Sequence, residues 1–99
     1  MKIDVNKNGS ELTLSPAGRV DTATAPELKK VFDENISGVT DLTFDFKNLD
    51  YMSSAGLRVL MVAQKTMIKQ GKMKIINVNE DVMDIFDMTG LTDVFDIEE

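Results

Sequence analysis

At 99 residues, with a net charge of −6 and a 42% apolar fraction, the chain fits one domain, residues 1–99, around a single core. The acidic balance argues against nucleic acid or an anionic membrane surface as partners, since both need clustered Lys and Arg. The absence of Cys and His removes disulfides, thiolate zinc sites, the commonest metal ligand and the usual general base for a Ser or Cys nucleophile.

In chain order, Ile3 and Val5 alternate with polar neighbours, Asn8-Gly9 marks a turn, and Leu12 and Leu14 resume the alternation. This predicts a hairpin over residues 2–7 and 10–16, with Pro16 at the end or edge of its second strand. A helix is expected to start near Pro26, with Thr24 and Glu27 spaced as a capping box and Leu28, Val31, Phe32 and Ile36 on its apolar stripe. Gly38 is expected to stop it. Leu42, Phe44 and Phe46 alternate with Asp41, Thr43 and Asp45, which reads as a strand with one apolar and one polar face. Residues 47–52 read as a short loop. Ser53-Ser54 opens the next helix, with Leu57, Leu60, Met61 and Ile68 on one side and Gly71 at its end. Residues 72–78 are a strand in mid-sheet. Asn79 is placed to cap a further helix carrying Val82, Ile85 and Phe86, closed by Gly90. Val94, Phe95 and Ile97 fit a last strand or a short docked helix, and the pattern does not separate the two. Met61, Met67, Met73, Met83 and Met88 are expected to fill gaps in the core.

Strands alternating with helices imply an α/β fold with parallel neighbours and right-handed crossovers. The polar face of residues 41–46 argues against a sheet buried on both sides. The expectation is a mixed, mostly parallel sheet of four or five strands after an N-terminal hairpin, with helices mainly on one face. The start, Met1-Lys2-Ile3-Asp4, does not have the form of a signal peptide, and no run approaches the ~18 apolar residues of a membrane helix. A cytoplasmic location is the default. Much of the acid lies from Glu80 to Glu99, either as a solvated surface or as a docking face for a basic partner.

No common catalytic motif is present. There is no glycine-rich phosphate loop, and Ser-Ser-Ala-Gly-Leu around Ser54 is not the nucleophile elbow GxSxG. What stands out is the Ser pair between a strand-plus-loop and a helix. Serine is a preferred cap because its oxygen accepts from an unpaired backbone N–H. The same helix start, with its partial positive charge and free N–H groups, also suits a phosphate. Ala55 and Gly56 leave the first turn bare for a partner's approach. Asp21 and Asp50 are candidates to lie nearby, although Asp21 also suits a plain cap on the loop before the first helix. Arg58, one turn in, either faces solvent or pairs with a phosphate or a partner's acid.

The stretch from Asn48 to Leu60, NLDYMSSAGLRVL, resembles the loop and helix of STAS-domain anti-sigma-factor antagonists. Gly18-Arg19-Val20-Asp21 resembles that family's upstream Gly-x-x-Asp element, and Phe86 to Leu91 its Phe-x-x-x-Gly-Leu segment. The resemblance implies a small STAS-type β/α unit acting as a phosphorylation-switched binding module rather than as an enzyme. It implies no metal, cofactor or catalytic residue. The unphosphorylated form would bind a GHKL-type serine-kinase anti-sigma factor and free a sigma factor, and a PP2C-type phosphatase would reset the switch. Aligned on Gly56-Leu57, the phosphoacceptor is Ser54, with Ser53 as its rival. The family's Asp before the acceptor is Ser53 here, and the residue after it is Ala55. The expected partner surface comprises Asp21, Thr22, Met52, Ser53, Ser54, Ala55, Leu57 and Arg58. Two other readings are open: a STAS subunit docking on the ATPase of a phospholipid-trafficking ABC transporter, and a small hydrolase using Ser54.

Overall fold

The computed structural model describes residues 1–98. Strands β1 (Ile3–Asn8) and β2 (Glu11–Pro16) form the expected hairpin, in register from Ile3↔Pro16 to Asn8↔Glu11. A short β3 (Gly18–Val20) leads into α1 (Ala25–Asn35), β4 (Asp41–Asp45), β5 (Leu49–Met52) and α2 (Ser54–Gln70). There follow β6 (Lys72–Ile76), α3 (Glu80–Thr89), a 3-10 turn at Leu91–Asp93, and β7 (Asp96–Glu98). The main sheet has five strands in the order β1-β2-β4-β6-β7. Its first pair is antiparallel and every other pairing is parallel.

The one-sided sheet follows from period-2 alternation. Leu12 and Leu14, Leu42 and Phe44, and Met73 and Ile75 sit on one face of three adjacent strands and are buried. With Val20, Leu28, Phe32, Leu60, Met67 and Phe86 they form a continuous core between sheet and helices. Thr13, Thr43, Lys72 and Lys74 alternate with these residues and stay partly or fully exposed. Ion pairs Lys72–Asp41 and Lys74–Glu98, each 3.7 Å, join neighbouring strands along that polar side. Exposed pairs of this kind contribute at most about 1 kcal/mol, so the apolar face carries the stability.

Several expectations need correction. Residues 49–52, read as loop, are strand β5, which pairs in parallel with β3 as a separate two-stranded sheet. A register shift between Gly18 and Arg19 sets Leu49 and Tyr51 against consecutive residues and leaves Asp50 as the extra one. Such a bulge breaks the alternation by which a strand is recognised. In α2 the buried face runs through Gly56, Leu60, Ala63 and Met67, so Met61 and Ile68, expected inside, lie exposed. Met88 is also exposed, at 85%, whereas Met67 and Met73 are core residues as expected. The capping box at α1 does not form: Thr24 has helical backbone angles and no side-chain cap bond. The terminal segment is a 3-10 turn followed by a strand. Phe95 packs edge-on against Phe86, with ring centroids 5.8 Å apart.

Candidate functional site

The parallel pairing of β3 and β5 brings two chain segments out side by side. Val20 pairs with Met52, and the Ser53 amide then donates to the Val20 carbonyl at 2.8 Å. The loop beginning at Asp21 is thereby held beside the start of α2. Ser53 is the N-cap: its backbone is extended, and its Oγ accepts from the Ala55 amide at 3.2 Å. Ser54 is the first helical residue and is exposed. Its hydroxyl has no hydrogen-bond partner among the described residues. Gly56 explains how closely the helix can settle on the strand pair. A Cβ there would lie 2.7 Å from Met52 Cγ and 2.8 Å from Val20 Cγ1.

Asp21 organises the other side. Its carboxylate accepts from the Ala23 amide at 3.0 Å and the Thr24 amide at 3.1 Å. The Thr24 hydroxyl accepts from the Asp21 amide at 2.9 Å and donates to the Arg19 carbonyl at 2.8 Å. The Thr24 amide first, then the Ala23 amide, the Thr24 hydroxyl and the Arg19 charge, hold the Asp21 carboxyl below the ordinary carboxylate range, against an opposing effect of desolvation. Arg19 lies over the Tyr51 ring, 4.6 Å from its centroid. Both residues are exposed, on facing positions of β3 and β5. The junction therefore offers a free hydroxyl at a helix start, a carboxylate already engaged by backbone, and a cation stacked on an aromatic ring. Among the described residues no cluster of acidic side chains is arranged to hold a metal ion. No described helix is long and apolar enough to cross a membrane.

The STAS domain pattern matches residues 2–99. The chain belongs to the STAS domain family. It is 34% identical over 98% of its length to the anti-sigma-B factor antagonist of Bacillus subtilis, covering 90% of that protein. A Staphylococcus epidermidis protein of the same name is 32% identical over 83% of this chain and covers 78% of its own. Among solved structures, an anti-sigma factor antagonist from Mycobacterium paratuberculosis superposes with a TM-score of 0.88 at 20% identity, over 97% of this chain and 83% of that one. The anti-sigma factor antagonist SpoIIAA in its unphosphorylated form gives 0.84 at 16% identity, over 99% and 89%. At these identities the structural likeness concerns the fold.

The STAS fold of this chain gathers Asp21, Thr22, Ser53, Ser54 and Ala55 at one end of the β3–β5 pair, with Arg58 exposed one turn along α2. Two members of the expected partner surface do not belong to it. Met52 is 0% exposed and Leu57 5%, because both point beneath α2 into the core. Asp50 sits on the bulge at the far end of β5 from the junction. Asp21 does both things open to it: its carboxylate caps its own loop, and that loop is held beside the start of α2. Sequence reasoning missed the Arg19–Tyr51 stack altogether. The only signal for it was the pairing of GRV with LDYM, hidden by the bulge.

Proposed function

We propose that this STAS chain is a phosphorylation-switched protein-binding module rather than an enzyme, with Ser54 as the modified residue. The observation that carries this reading is the division of labour at the junction. Ser53 holds the cap, which leaves the Ser54 hydroxyl unengaged and exposed one residue further on. A phosphate added there meets the free N–H groups and the positive end of α2, so the fold tolerates it. It also adds about −1.5 to −2 charge to an exposed surface, which disfavours any partner contact that must desolvate it. Ser53 is the poorer acceptor because its oxygen already binds the Ala55 amide. The names of the curated relatives support antagonism of an anti-sigma factor. That SpoIIAA has been solved in a phosphorylated form supports a switch of this type.

On this reading the unphosphorylated chain sequesters a GHKL-type serine-kinase anti-sigma factor, which supplies nucleotide and Mg²⁺, and a PP2C-type phosphatase restores binding. Asp21, Thr22, Ser53, Ser54, Ala55 and Arg58 form the contact surface, while Met52 and Leu57 support it from below. The test is intact-mass spectrometry of the chain with such a kinase from the same genome and Mg-ATP. One added phosphate on wild type and Ser53→Ala, absent from Ser54→Ala, is the expected result. Phosphate retained on Ser54→Ala would move the site. A stable complex with an ABC-transporter ATPase, and no phosphate gain beside any kinase, would favour a docking subunit instead.

A further inference from the structure

Helix α2 carries Arg58, Lys65 and Lys69 and has no Asp or Glu, in a chain whose net charge is −6. None of these three cations forms an ion pair among the described residues. In α1, by contrast, Lys29 pairs with Asp33 one turn away, at 2.6 Å. Interleaved with the α2 cations are Met61, Val62 and Ile68, exposed at 40%, 41% and 70%. At 3.6 residues per turn, Ser54, Arg58, Met61, Lys65, Ile68 and Lys69 fall within roughly 120° of arc and run about 22 Å along the helix. A merely solvated face needs neither three apolar side chains nor a wholly one-signed charge. Exposed apolar groups set among unpaired like charges are the expected form of a surface that meets an oppositely charged apolar one.

We propose that this stripe is a docking face for an acidic, amphipathic segment of the same protein that contacts the Ser54 junction. The proposal rests on the binding reading above and extends it along the whole helix. The acidic segment would steer encounter through Lys65 and Lys69 and bury Met61, Val62 and Ile68, while the junction at one end supplies the switch. Opposite potentials across an interface act mainly on the association rate, and apolar contact acts mainly on dissociation.

The experiment measures association and dissociation rates of the full chain with its GHKL-type kinase, for wild type, Ser54→Asp, Lys65→Glu/Lys69→Glu and Ile68→Ser. All the stripe positions are exposed, so thermal melts should show each variant folded. Ile68→Ser carries the test alone if the charge variant does not fold. The double reversal is expected to weaken binding about ten-fold at low salt, through slower association, with the effect shrinking as salt is raised. Ile68→Ser is expected to speed dissociation several-fold. Loss of affinity in Ser54→Asp with both stripe variants unchanged would overturn the stripe and leave the switch standing. A wild-type chain that binds no such kinase would remove the switch reading, and the stripe with it. Lysine-dependent sedimentation with phosphatidylserine vesicles, with kinase binding untouched, would also overturn the proposal in favour of a lipid surface.

Discussion

Ser53 and Ser54 are adjacent and chemically identical, yet only Ser53 caps the helix, and two alanine variants test this. Ser53 Oγ satisfies the Ala55 amide at 3.2 Å in a partly buried position. Replacing an N-cap serine by alanine costs about 0.5–2 kcal/mol, and the long bond argues for roughly 1. For a domain of this size, 1 kcal/mol corresponds to about 4–8 °C in Tm. Ser54 is exposed and its hydroxyl has no hydrogen-bond partner among the described residues, so Ser54→Ala should stay within about ±0.5 kcal/mol of wild type. Urea and thermal unfolding followed by far-ultraviolet circular dichroism measure both, on unphosphorylated protein. A Ser54→Ala loss equal to or larger than that of Ser53→Ala would refute the cap assignment. It would also undo the argument that the modifiable hydroxyl is free.

Three further outcomes are expected. In Gly71→Ala the new Cβ would overlap the Thr40 carbonyl oxygen. That oxygen also accepts from the Lys72 amide at 2.9 Å, so relief must open the start of β6. A loss of about 3 kcal/mol in urea unfolding is expected, and a neutral variant would contradict the packing there. Gly56→Ala should cost about 1–3 kcal/mol, because α2 must rise off Val20 and Met52; proton chemical shifts of the Met52 methyl and of the Ser53–Leu57 amides should move with it. Asp21 has a lowered carboxyl pKa in the folded state, so its ionised form stabilises fully above the unfolded value of about 3.9. That contribution disappears as pH falls through the folded pKa. The Tm gap between wild type and Asp21→Asn should therefore be widest near neutrality and close in acid. A gap constant down to about pH 3 would show that the carboxylate's hydrogen bonds do not matter.

Most of the architecture was readable because burial here is one-sided. Leu42 and Phe44 alternating with Asp41 and Thr43 argue for a sheet with one wet face, and that is the sheet observed along these four residues. The helix ends were readable where a residue acts locally, as Asn79 does when its Oδ1 accepts from the Val82 amide at 2.8 Å. Reading failed where structure depends on distant partners. Strand β5 exists because β3, some thirty positions upstream, supplies its hydrogen bonds, and the four residues from Leu49 to Met52 do not alternate. The exposed side of α2 was misread because Met61 and Ile68 look like core residues, and only the path through Gly56, Ala63 and Met67 shows which side turns inward. At the junction, the pattern brought Asp21 and the Ser pair forward as candidates, but which serine caps depends on a backbone angle. Ser53 is extended, and the helix begins after it.

The two small-residue features of the site make sense together. Gly56 lets α2 rest directly on Val20 and Met52, and the Ser53 amide is tied to Val20 on the same strand. The helix start is thus held by backbone and core contacts rather than by the side chain of Ser54. In the proposed switch this has a consequence for how the signal travels. A phosphate on Ser54 need not displace a stabilising bond, so the folded state can keep its shape while the surface changes sign. The switch would then act by altering what the junction repels, with α2 as a rigid bar carrying its positive stripe away from it. On that logic, the crosspeaks of the core residues Leu60, Ala63 and Met67 should stay in place on phosphorylation while those near Ser53–Gly56 move. Widespread shifts through the α2 core would instead mean that the modification works by deforming the fold.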